Sequence, residues 1–192
     1  MEADRIKWNN RFASEASYLG ANASPFLQRE IARIKRLAPG KRALDIACGE
    51  GRNSIFLAQH GFLTTGLDIS DIALGKAEQQ ARDKGLSVSF CRVDLDDYRI
   101  TEQYDLIVNF NFLLREFIPE EVGALAPGGL LIIDTILESP MLLVTHNPDY
   151  LLRYGELERI FNAYAGEILS CEECIDGEMP TARLLFRKQP DL

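Results

Sequence analysis

The chain has 192 residues and a formal net charge of −8, enough length for one domain and no general surplus of Lys and Arg with which to neutralise a nucleic-acid backbone. Hydrophobic residues make up 46% of it without repeats or low-complexity blocks, which excludes a disordered or solenoid chain. No apolar run approaches the roughly 18 residues of a membrane span, and Glu2, Asp4, Arg5 and Lys7 interrupt any signal-peptide core, so a cytoplasmic protein with no membrane partner is expected.

An arm of mixed polarity runs to about Asn22. Ser24-Pro25 then reads as a helix cap and first helical position, and Phe26, Leu27, Ile31, Ile34 and Leu37 recur at helical spacing until Pro39-Gly40. The basic residues around this helix, Arg29, Arg33, Lys35, Arg36, Lys41 and Arg42, read as a solvated face. A strand over 41–47 runs into a glycine loop and a short helix ended by Gly61, followed by a strand over 62–67. Ser70 caps the next helix, Asp71 favours its positive end, and Gly85 suits the left-handed position beyond it. Strands follow near 87–92, 105–109 and 129–136. A helix near 155–164 precedes two strand-like runs, 167–175 and 182–188, spaced to pair as a hairpin. Alternating strands and helices imply a parallel sheet covered on both faces.

Cys48, Cys91, Cys171 and Cys174 are too few and too unevenly placed for a disulfide framework. Cys171-x-x-Cys174 is half a zinc site without a second pair, in a strand-like segment where positions three apart face opposite sides. No metal is expected.

The richest stretch is Ala43-Leu44-Asp45-Ile46-Ala47-Cys48-Gly49-Glu50-Gly51-Arg52, an apolar strand with one acid that enters a loop with glycines two apart. Asp68 closes the second apolar run. Glycine lets the backbone approach a ligand, and a carboxylate about 20 residues further on can accept both hydroxyls of a ribose. Gly49-x-Gly51-x-x-Ser54 also approximates a dinucleotide fingerprint. Asp45 and Glu50, however, place negative charge where a pyrophosphate would lie, and a sulfonium bearing an amino acid suits that polarity better.

These residues resemble the first motif of the class I S-adenosylmethionine-dependent methyltransferases, acid-x-x-x-Gly-x-Gly, here Asp45, Gly49 and Gly51. The resemblance continues through Leu67-Asp68-Ile69-Ser70, Val93-Asp94-Leu95, Tyr104-Asp105-Leu106-Ile107-Val108 and Leu125-Ala126-Pro127-Gly128-Gly129. Within the class, Trp8-Asn9-Asn10-Arg11-Phe12 and Cys48-Gly49-Glu50-Gly51-Arg52-Asn53 are most similar to the tellurite-resistance-type enzymes and their small-molecule relatives. The resemblance implies a Rossmann-like, doubly wound α/β domain over residues 1–192, sheet order 3-2-1-4-5-7-6 with strand 7 antiparallel, and an arm over 1–22 that covers the cofactor.

It also implies S-adenosyl-L-methionine as cofactor. Asp45 and the backbone of Cys48, Gly49 and Gly51 would hold its methionine part, Asp68 and Ile69 the ribose, and Asp94 and Leu95 the adenine, with Asn109 at the end of the fourth strand completing the site. Residues past the fourth and fifth strands, Asn109, Phe110, Asn111, Phe112, Leu113, Arg115, Thr135 and His146, would line a small acceptor pocket. Arg115 is assigned to orient the acceptor, a thiol, a chalcogen oxyanion or a compact metabolite. The His-Arg pair that the tellurite enzymes carry near the final hairpin has no counterpart in Asp176-Gly177-Glu178-Met179-Pro180-Thr181. A non-catalytic nucleoside-binding module and an NAD(P)-dependent oxidoreductase are the rival readings.

Overall fold

A computed structural model of the protein describes residues 2–14, 17, 20–176 and 179–191. Each strand read from the sequence forms: β1 (Arg42–Ile46), β2 (Leu63–Asp68), β3 (Ser89–Arg92), β4 (Tyr104–Phe110), β5 (Leu125–Ile136), β6 (Gly166–Cys174) and β7 (Thr181–Lys188). They form one seven-stranded sheet of order β3-β2-β1-β4-β5-β7-β6. β1 to β5 pair in parallel, while β7 lies antiparallel between β5 and β6.

Strands covered by helices on both faces need apolar side chains in both directions, which is why the central strands read as unbroken apolar runs. Leu106, Val108, Leu130 and Ile132 point to one face, with Phe26, Leu27, Ile34 and Leu57 from helices α2 (Pro25–Leu37) and α3 (Arg52–Gln59). Ile107, Leu131 and Ile133 point to the other, against Phe117, Ile118, Val122, Leu157 and Phe161, which come from α5 (Ile118–Ala124), the turn before it, and α7 (Glu156–Phe161). A short helix α6 (Leu142–Thr145) follows β5.

Helix α4 (Asp71–Asp83) begins at Ser70, whose hydroxyl accepts from the Ala73 N–H at 3.1 Å, and Gly85 beyond it takes φ +65°, as the sequence implied. Ser24 does precede α2 with Pro25 in its first turn, yet no side-chain cap forms there. Instead, the Ser24 N–H donates to Asn53 Oδ1 at 2.9 Å, tying the start of α2 to that of α3. The expected N-terminal arm contains a helix, α1 (Glu2–Ser14). It is held by contacts invisible to periodicity: Arg5 to Asp71 at 2.7 Å, the Ser70 hydroxyl to Asn9 Oδ1 at 2.7 Å, and Lys76 to the Phe12 carbonyl at 2.6 Å.

Candidate functional site

In open α/β sheets the reversal of strand order leaves a crevice at the carboxyl ends of the central strands, and here β1 lies between β2 and β4. The chain leaves β1 through three left-handed residues in alternation: Ala47 (φ +50°), Gly49 (φ +55°) and Gly51 (φ +76°). Glycine accepts this backbone freely, whereas Ala47 stores strain of the sort that collects at functional loops. Nothing in the sequence marks Ala47. The Cys48 N–H bonds the Leu67 carbonyl at 2.8 Å and the Gly51 N–H bonds the Cys48 carbonyl at 3.0 Å, so the loop folds tightly against the end of β2.

Gly51 serves packing as well as conformation. A Cβ there would lie 2.8 Å from Ala77 Cβ and 3.0 Å from the Phe90 ring. Gly61 has the same left-handed backbone (φ +87°) with nothing within 4 Å. Gly51→Ala is therefore expected to lose about 2 kcal/mol more stability than Gly61→Ala, the scale of overpacking added to a shared conformational cost. Urea denaturation of the two variants checks this, and equal losses would contradict the packing role.

Asp68, at the end of β2, is 7% exposed. Its Oδ2 accepts from the Gly49 N–H at 2.8 Å and its Oδ1 from the Ser70 N–H at 2.9 Å. The carboxylate thus joins the glycine loop to the cap of α4, with Ile69 half-buried between the two acceptor bonds. Burial pushes the Asp68 carboxyl up, and the backbone N–H groups of Ser70, Gly49 and Ile69 pull it back. Asp45 is buried inside β1, where the Ser54 hydroxyl donates to its Oδ2 at 2.5 Å. Burial pushes its carboxyl up to about 7. Cys48 is buried, and the same desolvation raises its thiol well above the ordinary value, so it is no nucleophile.

Glu50, read from sequence as negative charge offered to a ligand, faces elsewhere. Its carboxylate accepts from Lys76 Nζ of α4 at 2.9 Å and from the Ser17 hydroxyl at 3.3 Å. Phe12 of α1 is buried, and its ring lies 3.3 Å from where a Cβ on Gly49 would stand. Asn9, Phe12 and Lys76 therefore join the site, and only the Trp8-to-Phe12 motif had pointed to any of them.

The remaining sequence candidates divide. Val93 bonds the Asp68 carbonyl at 2.9 Å, which sets Asp94 and Leu95 beside the end of β2. Asp94 Oδ1 accepts from the Asp96 N–H at 3.3 Å, an acidic turn, while Leu95 is buried. Asn109 turns under the sheet, where its Nδ2 donates to Glu121 Oε1 at 2.8 Å. Arg115 is committed within the fold: Nε and Nη2 bond the two carboxylate oxygens of Glu156 at 2.7 and 3.0 Å, Nη1 the Asp149 carbonyl at 2.6 Å, and Nη2 the Leu151 carbonyl at 2.8 Å. It clamps the turn after β4 to segment 149–156, a different task from the acceptor contact read from sequence. Phe110 and Leu113 belong to the core, Thr135 is buried, and His146 is exposed against Thr145. His60 closes α3 with its ring on the Phe56 carbonyl at 2.8 Å, a structural place.

The hairpin tip at Gly177 and Glu178 lies outside the described residues. Among the described residues no cluster of His, Cys, Asp and Glu could hold a metal ion, and no helix is long and apolar enough to cross a membrane.

Residues 43–129 match the family model described as a methyltransferase domain. The chain is 31% identical over 130 residues to a ubiquinone biosynthesis O-methyltransferase of Haemophilus ducreyi, an alignment that covers 59% of this chain and 54% of that protein. The chain thus spans about half the length of that relative. Among solved structures it resembles TehB from Haemophilus influenzae (TM-score 0.70, 21% identity, 86% of this chain and 64% of that one). It also resembles the N-methyltransferase NodS from Bradyrhizobium japonicum in complex with S-adenosyl-L-homocysteine (TM-score 0.73, 23% identity, 96% and 97%). At those identities the structural likenesses establish the fold. Residues 43–129 thus match a methyltransferase domain, and the glycine loop tied to Asp68 and the inserted antiparallel β7 sit in a fold similar to that of TehB.

Proposed function

We propose that the protein transfers a methyl group from S-adenosylmethionine to a small-molecule acceptor in the cytoplasm. The observation that carries this reading is the 2.8 Å bond from the Gly49 N–H to Asp68, which holds a β2 carboxylate and the β1 glycine loop as one surface at the strand-order reversal. Its remaining acceptor capacity suits a ribose, because a carboxylate offers about four lone-pair sites. Asp45, braced by Ser54, and the left-handed backbone from Ala47 to Gly51 suit the methionine part, with Ile69, Asp94 and Leu95 on the adenine side. Helix α1 covers this cofactor through Phe12.

The cofactor supplies a methyl carbon already activated by a sulfonium, so the protein's task is alignment and exclusion of water, for which no triad is needed. Asn109 and Arg115 serve as positioning residues: Asn109 through Glu121, Arg115 through Glu156. The acceptor classes within this reading are a thiol, a chalcogen oxyanion and a compact metabolite. The net charge of −8 supports the exclusion of nucleic acid.

S-Adenosylhomocysteine at a hundredfold excess over its dissociation constant is expected to stabilise the fold by about 2.7 kcal/mol, read as a rise in melting temperature. NAD should give no comparable shift. A shift from NAD alone would favour the oxidoreductase reading, and adenosyl binding without label transfer to any small molecule would favour a non-catalytic nucleoside-binding module.

A further inference from the structure

Asp134 stands near the carboxyl end of β5, opposite Phe110 of β4 and Arg183 of β7, on the side of the sheet where the parallel strands end and a ligand crevice opens. It is 8% exposed. Its Oδ2 accepts from Arg183 Nε at 3.2 Å and the Thr181 hydroxyl stands near enough to favour the charged form, while no donor completes a hydrogen bond to the buried Oδ1. A buried carboxylate oxygen without a donor is costly, and native structures rarely leave one without a purpose.

The surroundings are built around this group. Asn111 adopts a left-handed backbone (φ +57°) and its N–H bonds the Asp134 carbonyl at 2.9 Å, so the first residue past β4 is fixed to β5 at this point. Burial pushes the Asp134 carboxyl up, Arg183 and the Thr181 hydroxyl pull it down, and Glu172 adds a smaller upward push. Arg52, in the first turn of α3, lies in the field of both Asp45 and Asp134.

We propose that Asp134 is the acceptor-binding carboxylate: its Oδ1 accepts a hydrogen bond from the nucleophile, which is an amine or hydroxyl group that carries its own proton. This rests on the methyltransferase reading above. In the transfer, the lone pair of the neutral nucleophile forms the bond to the methyl carbon. The carbon–sulfur bond breaks with its electron pair left on sulfur, and the nucleophile's proton passes to Asp134 Oδ1. A cationic sulfonium and an anionic carboxylate become a neutral thioether and a neutral acid. A thiolate or an oxyanion would instead meet the Asp134 charge, and Arg115, which the sequence assigns to such an acceptor, is held by Glu156.

The test offers methyl-labelled S-adenosylmethionine to small amines, alcohols and phenols, thiols and chalcogen oxyanions, and measures S-adenosylhomocysteine binding by calorimetry in parallel. Label is expected in amine or hydroxyl acceptors. Asp134→Asn should lower kcat/KM for that acceptor by about 100-fold or more, the lower range of general-base effects, with S-adenosylhomocysteine affinity unchanged. The parent profile should fall on its acid side as Asp134 takes a proton, and that limb should vanish in the variant. If Asp134→Asn alone folds poorly, the double variant Asp134→Asn with Arg183→Gln replaces the ion pair by a neutral one and carries the same expectation. Label confined to thiols or oxyanions, no label in any amine or hydroxyl compound, or full turnover in the variant overturns the proposal. A parent protein that fails to bind S-adenosylhomocysteine overturns the cofactor reading instead.

Discussion

Glu121→Gln is expected to stabilise the protein by about 3 kcal/mol near pH 7 and to remove much of its loss of stability toward alkaline pH. Glu121 is completely buried in α5, and burial pushes its carboxyl up to about 8 from an ordinary value of 4.5. Its Oε1 accepts from Asn109, while Glu121 Oε2 and Asn109 Oδ1 both lack partners. A protonated Glu121 resolves both orphans at once by donating from Oε2 to Asn109 Oδ1, which makes a two-bond pair of acid and amide.

The folded chain holds this proton through pH 7, whereas the unfolded chain releases it near 4.5. The native state therefore binds more protons across that window, and stability falls as pH rises from about 4.5 to 8, by up to about 1.4 kcal/mol per pH unit. Gln supplies the same donor and acceptor without the titration. Asp45, raised to about 7 by burial, leaves a residual slope of the same sign in the variant. Tyr164 is the other titratable group in the Glu121 field, and its hydroxyl stays protonated throughout. Chemical denaturation of both proteins from pH 5 to 8 measures the effect. Parallel pH profiles would show that Glu121 is ionised in the native state.

Asp68→Ala should lose about 3 kcal/mol of stability in addition to cofactor affinity, because it strands the buried N–H groups of Gly49 and Ser70, each bonded to a charged acceptor. Asp68→Asn keeps one acceptor oxygen and should fall between parent and Ala. Sequence alone assigns Asp68 to a ligand. The structure makes it a joint between two loops first, with ligand binding drawn from what remains of its lone pairs. Denaturation together with calorimetric titration of S-adenosylhomocysteine separates the two contributions. An Ala variant as stable as the parent would return Asp68 to a purely ligand-binding role.

These cases show what the residue pattern conveys. Strand and helix positions were legible because apolar runs and caps such as Ser70 act locally, and the glycine loop was legible because a backbone requirement selects a residue type. The order of β5, β7 and β6 came from family resemblance, since pairing depends on distant segments. Side-chain partners were the least legible. Glu121 in a short helix has the appearance of a solvated acid, and Arg115 has the appearance of a free cation until Glu156, 41 positions on, folds against it. Glu50 carried the expected charge but spent it on Lys76.

The place of β7 has a consequence for how the molecule is made. Among the described residues β6 pairs with β7 and no other strand, and β7 connects it to β5. A nascent chain that has emerged as far as Cys174 thus has an unfinished sheet: β5 exposes an open edge and β6 has no neighbour. Closure waits for residues 181–188, a non-local step of the kind that folds slowly and leaves strand edges open to aggregation. Premature termination before Thr181 would accordingly detach β6 and uncover the β5 edge that carries Asp134, turning a short C-terminal deletion into the loss of one flank of the domain.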